Sequence, residues 1–312
     1  MIEFYKTTDI GTIKISEPET GCWINVIAPT ENERNYLIDT IGVLPEFVKS
    51  SLDPEESSHI DFDDELHQTL VIVDYPSLDN KRSEPNIYEY FTYPLGIVII
   101  KGFVVTISLY ESWTISELMR GQFKGIDTRL KTRFTLMILL RISQRFLLCL
   151  REIDQLTNRI ENQLLEQVRN KELLQLLDLE KSLVYFSTSL KSDEATLNRI
   201  RRGKAIKLYE EDDDLLEDIL IEIRQGVEMC SIYSGILSGM RDAFSSVINN
   251  NMNDVMKFLS IITIIMSIPN IIFAFYGMNV KLPVPYVWFP TLVCLISCII
   301  AWIVFSRNKR FK

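Results

Sequence analysis

The chain has 312 residues, of which 47% are hydrophobic, and this apolar content suffices for a core and excludes a disordered protein. A formal net charge of −9 argues against a nucleic-acid partner, and five cysteines and two histidines argue against a secreted disulfide scaffold and a histidine-rich metal site. The first 252 residues carry a net −14, whereas the last 60 carry +5 with Asp254 as their only acid. An acidic body joined to a basic, apolar tail indicates a membrane partner.

The N-terminal part is predicted to form an α/β domain, because short β-branched runs alternate with helical patterns. A first helix is predicted over 29–42, with Thr30 near its N-cap and acids in its first turn, and a second over 45–53. Four apolar runs predict strands, at 23–29, 69–75, 94–100 and 102–110.

The middle of the chain is predicted to form long helices. Proline is absent from 126–202, and leucine and charged residues dominate this stretch. We expect an antiparallel helix pair that turns near 169–171 and ends at a loop near 203–207. A third helix begins in the acidic run 210–218, where negative charge suits a helix N-terminus. No proline precedes Pro269, so the simplest prediction is one helix from about Asp213 to Tyr276.

Two stretches without charged residues, 258–276 and 287–306, predict membrane-spanning helices, since a bilayer core needs about 20 helical residues. The alternative is a pair of buried core helices. Basic residues flank both outer ends, which places both termini in the cytoplasm of a multi-pass protein of the plasma (inner) membrane. No signal peptide is evident. The predicted regions are the α/β domain 1–125, the long helices 126–257, the first span 258–276, the outer loop 277–286, the second span 287–306 and the basic tail 307–312.

Small or polar residues recur on one face of the first span. Their spacing alternates between three and four residues, which keeps them on one side of a helix. This pattern fits either tight packing between helices or a water-filled pore lined by several subunits, because two spans cannot enclose a pore alone. The stripe consists of Asn253, Met256, Ser260, Thr263, Ser267, Asn270, Ala274 and Gly277.

The first span ends in Tyr276, Gly277, Met278 and Asn279, after a long helix and before a second span and a basic tail. In this motif and its position the sequence resembles the CorA family of divalent-cation transporters. The resemblance implies a homopentamer in the lipid bilayer, with a funnel-like stalk of long helices and a central pore, that carries Mg²⁺, and often Co²⁺ or Ni²⁺, into the cell.

The resemblance also implies residue roles. Gly277, Met278 and Asn279 would form the outer selectivity ring, and Asn253 would lie at the cytoplasmic pore mouth. Met256 and Leu259 would form a hydrophobic gate. Many family members carry an acid in the outer loop, whereas this loop has Lys281 and none.

Regulation by the transported ion is expected from the acidic body, whose self-repulsion divalent cations would relieve. The resemblance implies a regulatory Mg²⁺ site between subunits, with Asp218 on the third helix and Asp79 as its partner. The alternative is that these are solvated surface acids, and for Asp79 this alternative has at least equal support.

The sequence also bears on other classes of function. The sequence has none of the common nucleotide-binding, hydrolase or metalloprotease motifs, so neither an enzyme nor an organic cofactor is expected. Two alternatives stay open: a related transporter with Zn²⁺ or Co²⁺ as its main ion, and a membrane-anchored helical scaffold without transport.

Overall fold

A computed structural model describes residues 1–8, 11–78, 89–120, 125–166, 170–203, 205–278, 284, 286 and 288–307. The chain divides into two compact units, Met1–Arg241 and Asp242–Lys312.

A seven-stranded sheet organises the first unit. Its strands are β1 Ile2–Thr8, β2 Gly11–Ile15, β3 Trp23–Ile27, β4 His59–Asp63, β5 Gln68–Leu78, β6 Tyr90–Ile100 and β7 Phe103–Ser108, in the spatial order β2-β1-β3-β7-β6-β5-β4. All neighbours are antiparallel except β3 and β7, which run parallel. The four predicted strands are confirmed as β3, β5, β6 and β7, whereas β1, β2 and β4 were not predicted.

Two short helices cover one face of the sheet. The first, α1 (Glu31–Tyr36), starts at a capping box in which the Glu33 amide donates to Thr30 Oγ1 and the Thr30 amide donates to Glu33 Oε2. A π-helical turn, Leu37–Ile41, continues α1, and α2 (Pro45–Ser51) follows. Phe47 of α2 belongs to a buried cluster with apolar residues of β3, β5, β6 and β7. The predicted helices are therefore confirmed.

Gly96 in β6 lies where α2 crosses the sheet. A Cβ built on Gly96 would overlap Ser51 Oγ and lie 2.5 Å from Ser51 Cβ. We therefore expect Gly96→Ala to lower the free energy of unfolding by about 1–3 kcal/mol, the usual cost of overpacking a core. Thermal unfolding of the full chain measures this, and Ser51→Gly in the same background should restore most of the loss. Gly235→Ala is the matched control, because no atom lies within 4 Å of its new Cβ.

Long helices cover the opposite face of the sheet, which explains why the central strands are apolar on both sides. A short helix, α3 (Trp113–Met119), leads into α4 (Lys131–Glu166) and α5 (Asn170–Arg201). The Trp23 ring of β3 lies 5.4 Å from the Phe134 ring of α4, and Phe146 of α4 lies 5.1 Å from Phe186 of α5. The predicted long-helix pair is confirmed.

Two carboxyl groups are buried together where α5 meets the sheet. Asp193 Oδ1 accepts hydrogen bonds from Ser58 Oγ (2.6 Å) and from the Asp74 amide (3.1 Å). Asp74 Oδ2 accepts one from Ser189 Oγ at 2.5 Å. Burial raises the pKa of both carboxyl groups, and the neighbouring Asp74 raises the pKa of Asp193 further. The carboxyl group of Asp193 is therefore neutral at pH values well above the usual pKa range of aspartate.

The last two helices are α6 (Glu210–Tyr276) and α7 (Trp288–Arg307), and both are long and apolar enough to cross a membrane. The start of α6 lies three residues before the predicted Asp213. Its first turn is acidic, and Asp212 Oδ2 accepts a hydrogen bond from the Tyr209 amide just outside the helix. The predicted continuous helix is otherwise confirmed, and the second predicted span is helical over Trp288–Arg307.

Candidate functional site

In the second unit, two contacts place α7 along one face of α6. Cys298 Sγ approaches the carbonyl oxygen of Ile265 at 4.0 Å, and the rings of Tyr276 and Phe289 lie 6.4 Å apart. Five half-buried residues of α6 share this face: Ile261, Ile265, Ile268, Ile272 and Tyr276.

The polar stripe lies on the other side of α6. Ser267 follows Ile265 by two residues, and Asn270 precedes Ile272 by two, which is a rotation of about 200° around the helix. Every member of the stripe is exposed in the isolated chain, from Asn253 to Gly277. Contact with α7 of the same chain therefore does not explain the stripe.

The three hydroxyl groups of the stripe are oriented by the helix itself. Ser260, Thr263 and Ser267 each donate to the carbonyl oxygen four residues earlier, at 2.8 Å. Because each O–H is used inside the helix, the oxygen presents only lone pairs to its surroundings. Water molecules bound to a cation point their hydrogen atoms away from the ion. Acceptor oxygens of this kind can therefore bind the hydration shell of a cation.

Pro269 removes one hydrogen bond within α6, and its free carbonyl acceptor is that of Ile265, four residues earlier. This carbonyl is the one that Cys298 Sγ approaches. The group that approaches this oxygen therefore comes from α7, on the face opposite the stripe, as is usual where a proline interrupts a membrane helix.

At the end of α6, the Gly277 amide donates to the carbonyl oxygens of Phe273 and Ala274, at 2.9 and 3.2 Å. A Cβ on Gly277 would lie 3.3 Å from the Phe273 oxygen, which is a tight contact. Met278 follows and is exposed. The other two residues of interest here, Asn279 and Lys281, lie outside the described residues.

At the other end of the stripe, Asn253 and Met256 are exposed, as is Leu259 at its margin. The same spacing continues towards the N-terminus through three further exposed residues, Asn249, Ser246 and Asp242. Sequence reasoning stopped at Asn253 and so missed Asp242, an acid on the stripe face. Extending the spacing by three steps would have found it.

The structure describes only one of the two residues of the predicted regulatory site. Asp218 is exposed on α6 within the first unit, and Asp79 lies outside the described residues. Among the residues that the structure describes, no three His, Cys, Asp or Glu side chains are grouped as metal ligands.

A sheet with helices on both faces, a very long helix and a second apolar span define a two-span membrane protein with a large N-terminal unit. The family described as "CorA-like Mg2+ transporter protein" matches residues 18–310, and the chain belongs to this family of transporters. The fold class is that of the family, with an N-terminal α/β unit, long helices and two C-terminal apolar helices.

Two relatives share the name "Cobalt/magnesium transport protein CorA". That of Methanocaldococcus jannaschii is 27% identical over 266 residues, covering 82% of this chain and 79% of the relative. That of Thermotoga maritima is 20% identical over 320 residues, covering 98% and 88%.

Solved structures agree in fold. The complete M. jannaschii CorA magnesium transporter has a TM-score of 0.82 at 24% identity, over 99% of this chain and 98% of that one. The full-length CmaX protein has a TM-score of 0.71 at 17% identity, over 98% and 96%.

Proposed function

We propose that this protein is a homopentameric channel that carries Mg²⁺ into the cell, through a pore lined by the stripe of α6 from each subunit. One observation carries the proposal: the stripe is exposed on the face opposite α7, so α7 of the same chain does not cover it, and enclosing it as a pore takes other copies of the chain. Hydroxyl oxygens turned outward as acceptors support a hydrated path rather than a dry helix contact.

Selection acts at the outer end of α6 in this proposal. Mg²⁺ demands octahedral geometry and loses its water reluctantly. Five copies of Asn279, with backbone carbonyls of Gly277 and Met278, would accept hydrogen bonds from the hydration shell without stripping it. Neutral ligands also bind the ion weakly enough to release it, as conduction requires.

The membrane potential drives the flux in this proposal. A divalent cation entering the cell gains about 4.6 kcal/mol per 100 mV, which needs no nucleotide. The acidic first unit and both termini lie in the cytoplasm, as the basic flanks of the spans favour. The names of the relatives support Co²⁺ as a second substrate, and Ni²⁺ belongs to the same class of ions.

Asn279→Ala tests the selectivity ring. We expect Mg²⁺ uptake by proteoliposomes to fall about tenfold, which corresponds to about 1.4 kcal/mol of lost interaction with the hydrated ion. Co²⁺, Ni²⁺ and Zn²⁺ added as competitors to the wild type then rank the ions. Asn251→Ala is the control, because this asparagine lies on α6 but off the stripe. Unchanged uptake by the Asn279 variant would refute the assignment.

Gating is proposed to depend on internal Mg²⁺ bound weakly by carboxylates between subunits, with Asp218 and Asp79 among the ligands. High internal Mg²⁺ would hold the assembly closed by neutralising repelling acids.

Asp218→Asn tests this gate. We expect the internal Mg²⁺ concentration that halves uptake to rise about tenfold, since each site loses one charged ligand. Glu217→Gln, at the exposed neighbouring position, should leave that concentration unchanged. Equal shifts in the two variants would indicate a general effect of surface charge and no specific site.

A further inference from the structure

A concave pocket in the first unit lies between the end of β5, α3 and α4, away from the stripe of α6. Its volume is about 430 Å³, within the range typical of small-molecule sites. Two arginines line it, Arg120 after α3 and Arg145 on α4, together with Trp113, Ser77 and Ser116. One acid, Glu111, also lies at its edge, so the described lining has one more positive than negative charge.

Among the residues that the structure describes, the two arginines of this pocket form no ion pair. The Arg145 guanidinium carbon lies 4.1 Å from the centre of the Trp113 ring. Within the described part of the chain, neither Arg145 nor Arg120 has a carboxylate at ion-pair distance or a hydrogen-bond acceptor. By contrast, Arg133 pairs with Glu211, Arg224 with Glu194 and Arg241 with Glu180.

Two carboxylates near the arginines accept hydrogen bonds from uncharged groups of the chain. Ser116 Oγ donates to Glu111 Oε1 at 2.6 Å, which engages the one carboxylate of the lining. Tyr90 donates its hydroxyl to Glu152 at 2.7 Å, so this tyrosine is also occupied. The guanidinium groups of Arg120 and Arg145 line the pocket, and planar forks of this kind match phosphate oxygens best.

We propose that this pocket binds a small organic phosphate, with the phosphate on Arg145 and Arg120 and the organic part against Trp113. The pocket is much larger than a phosphate ion, and the Trp113 side chain, 54% exposed, offers an apolar surface beside the two arginines. This site does not depend on the proposed pore, and its test measures binding, not transport.

Titration of the purified full-length protein with ATP, AMP and inorganic phosphate, followed by calorimetry and tryptophan fluorescence, tests the proposal. We expect saturable binding of at least one nucleotide, at least tenfold tighter than that of inorganic phosphate. Arg145→Gln should weaken it at least tenfold, and Arg145→Lys less. Trp113→Phe should remove the fluorescence change.

Arg151→Gln, six residues further along α4 and exposed, is the matched control and should bind as the wild type does. Circular dichroism verifies that each variant is folded. The proposal is overturned by the absence of saturable nucleotide binding, by equal affinity for inorganic phosphate, or by an Arg145→Gln variant that binds as tightly as Arg151→Gln.

Discussion

Replacing Ser267 by leucine is expected to lower Mg²⁺ uptake about a hundredfold, since a constriction that adds about 3 kcal/mol to the barrier has this effect. Ser267 lies in the middle of the stripe, opposite the face of α6 that contacts α7. In a pentamer the substitution would place five isobutyl groups at one level of the pore. Such an apolar ring removes the hydroxyl acceptors and excludes water from the path.

Two companion variants separate a blocked pore from a damaged protein. Ser267→Thr keeps a hydroxyl that can donate to the Thr263 carbonyl, so uptake should stay within about threefold of the wild type. Met266→Leu puts the same leucine one position away, off the stripe, and should not change uptake. Chromatography in mild detergent checks that all variants assemble alike. A Ser267→Leu protein that transports normally would mean that the stripe does not line the ion path.

The sequence predicted best the helices and strands whose residue pattern runs without interruption. The helices α4 and α5 follow from the absence of proline and glycine, and α6 from the absence of proline before Pro269. The strands β5 and β6 follow from long β-branched runs. The missed strands lie at or near the sheet edges, where half the side chains are solvated. In β4, for example, Asp61 is exposed and its neighbours are only half-buried, so the segment resembled a polar loop.

The sequence predicts the spacing of the residues along the candidate ion path, but it does not predict which way these residues face. The stripe from Asn253 to Gly277 can be read directly from the sequence, whereas its direction depends on which face of α6 contacts α7. No local sequence pattern encodes which face of α6 contacts α7. This contact decides whether the stripe packs within one chain or lies between chains. In the same way, Asp193 lies in a helix rich in charged residues and resembles a solvated acid, although it is buried against β5.

The buried acid pair gives the second large effect. Asp193→Ala leaves the Ser58 hydroxyl and the Asp74 amide without their acceptor, at about 1–3 kcal/mol for each buried donor, and should destabilise the first unit strongly. Asp193→Asn should instead stabilise the first unit. Its Oδ1 can accept both hydrogen bonds, and its amide resembles the protonated carboxyl that burial favours.

The pH dependence of the Asn variant distinguishes this explanation from simple repacking. Because the pKa of Asp193 is raised on folding, the native protein retains a proton that the unfolded chain releases above about pH 4. This contribution to stability is full below about pH 4 and is lost as the pH rises through the folded pKa. Asparagine has no such loss, so the melting temperature of Asp193→Asn minus that of the wild type should increase from pH 5 to pH 8. A difference that stays constant over this range would show that Asp193 is ionised in the folded protein, and a buried carboxylate would then need a cation beside it.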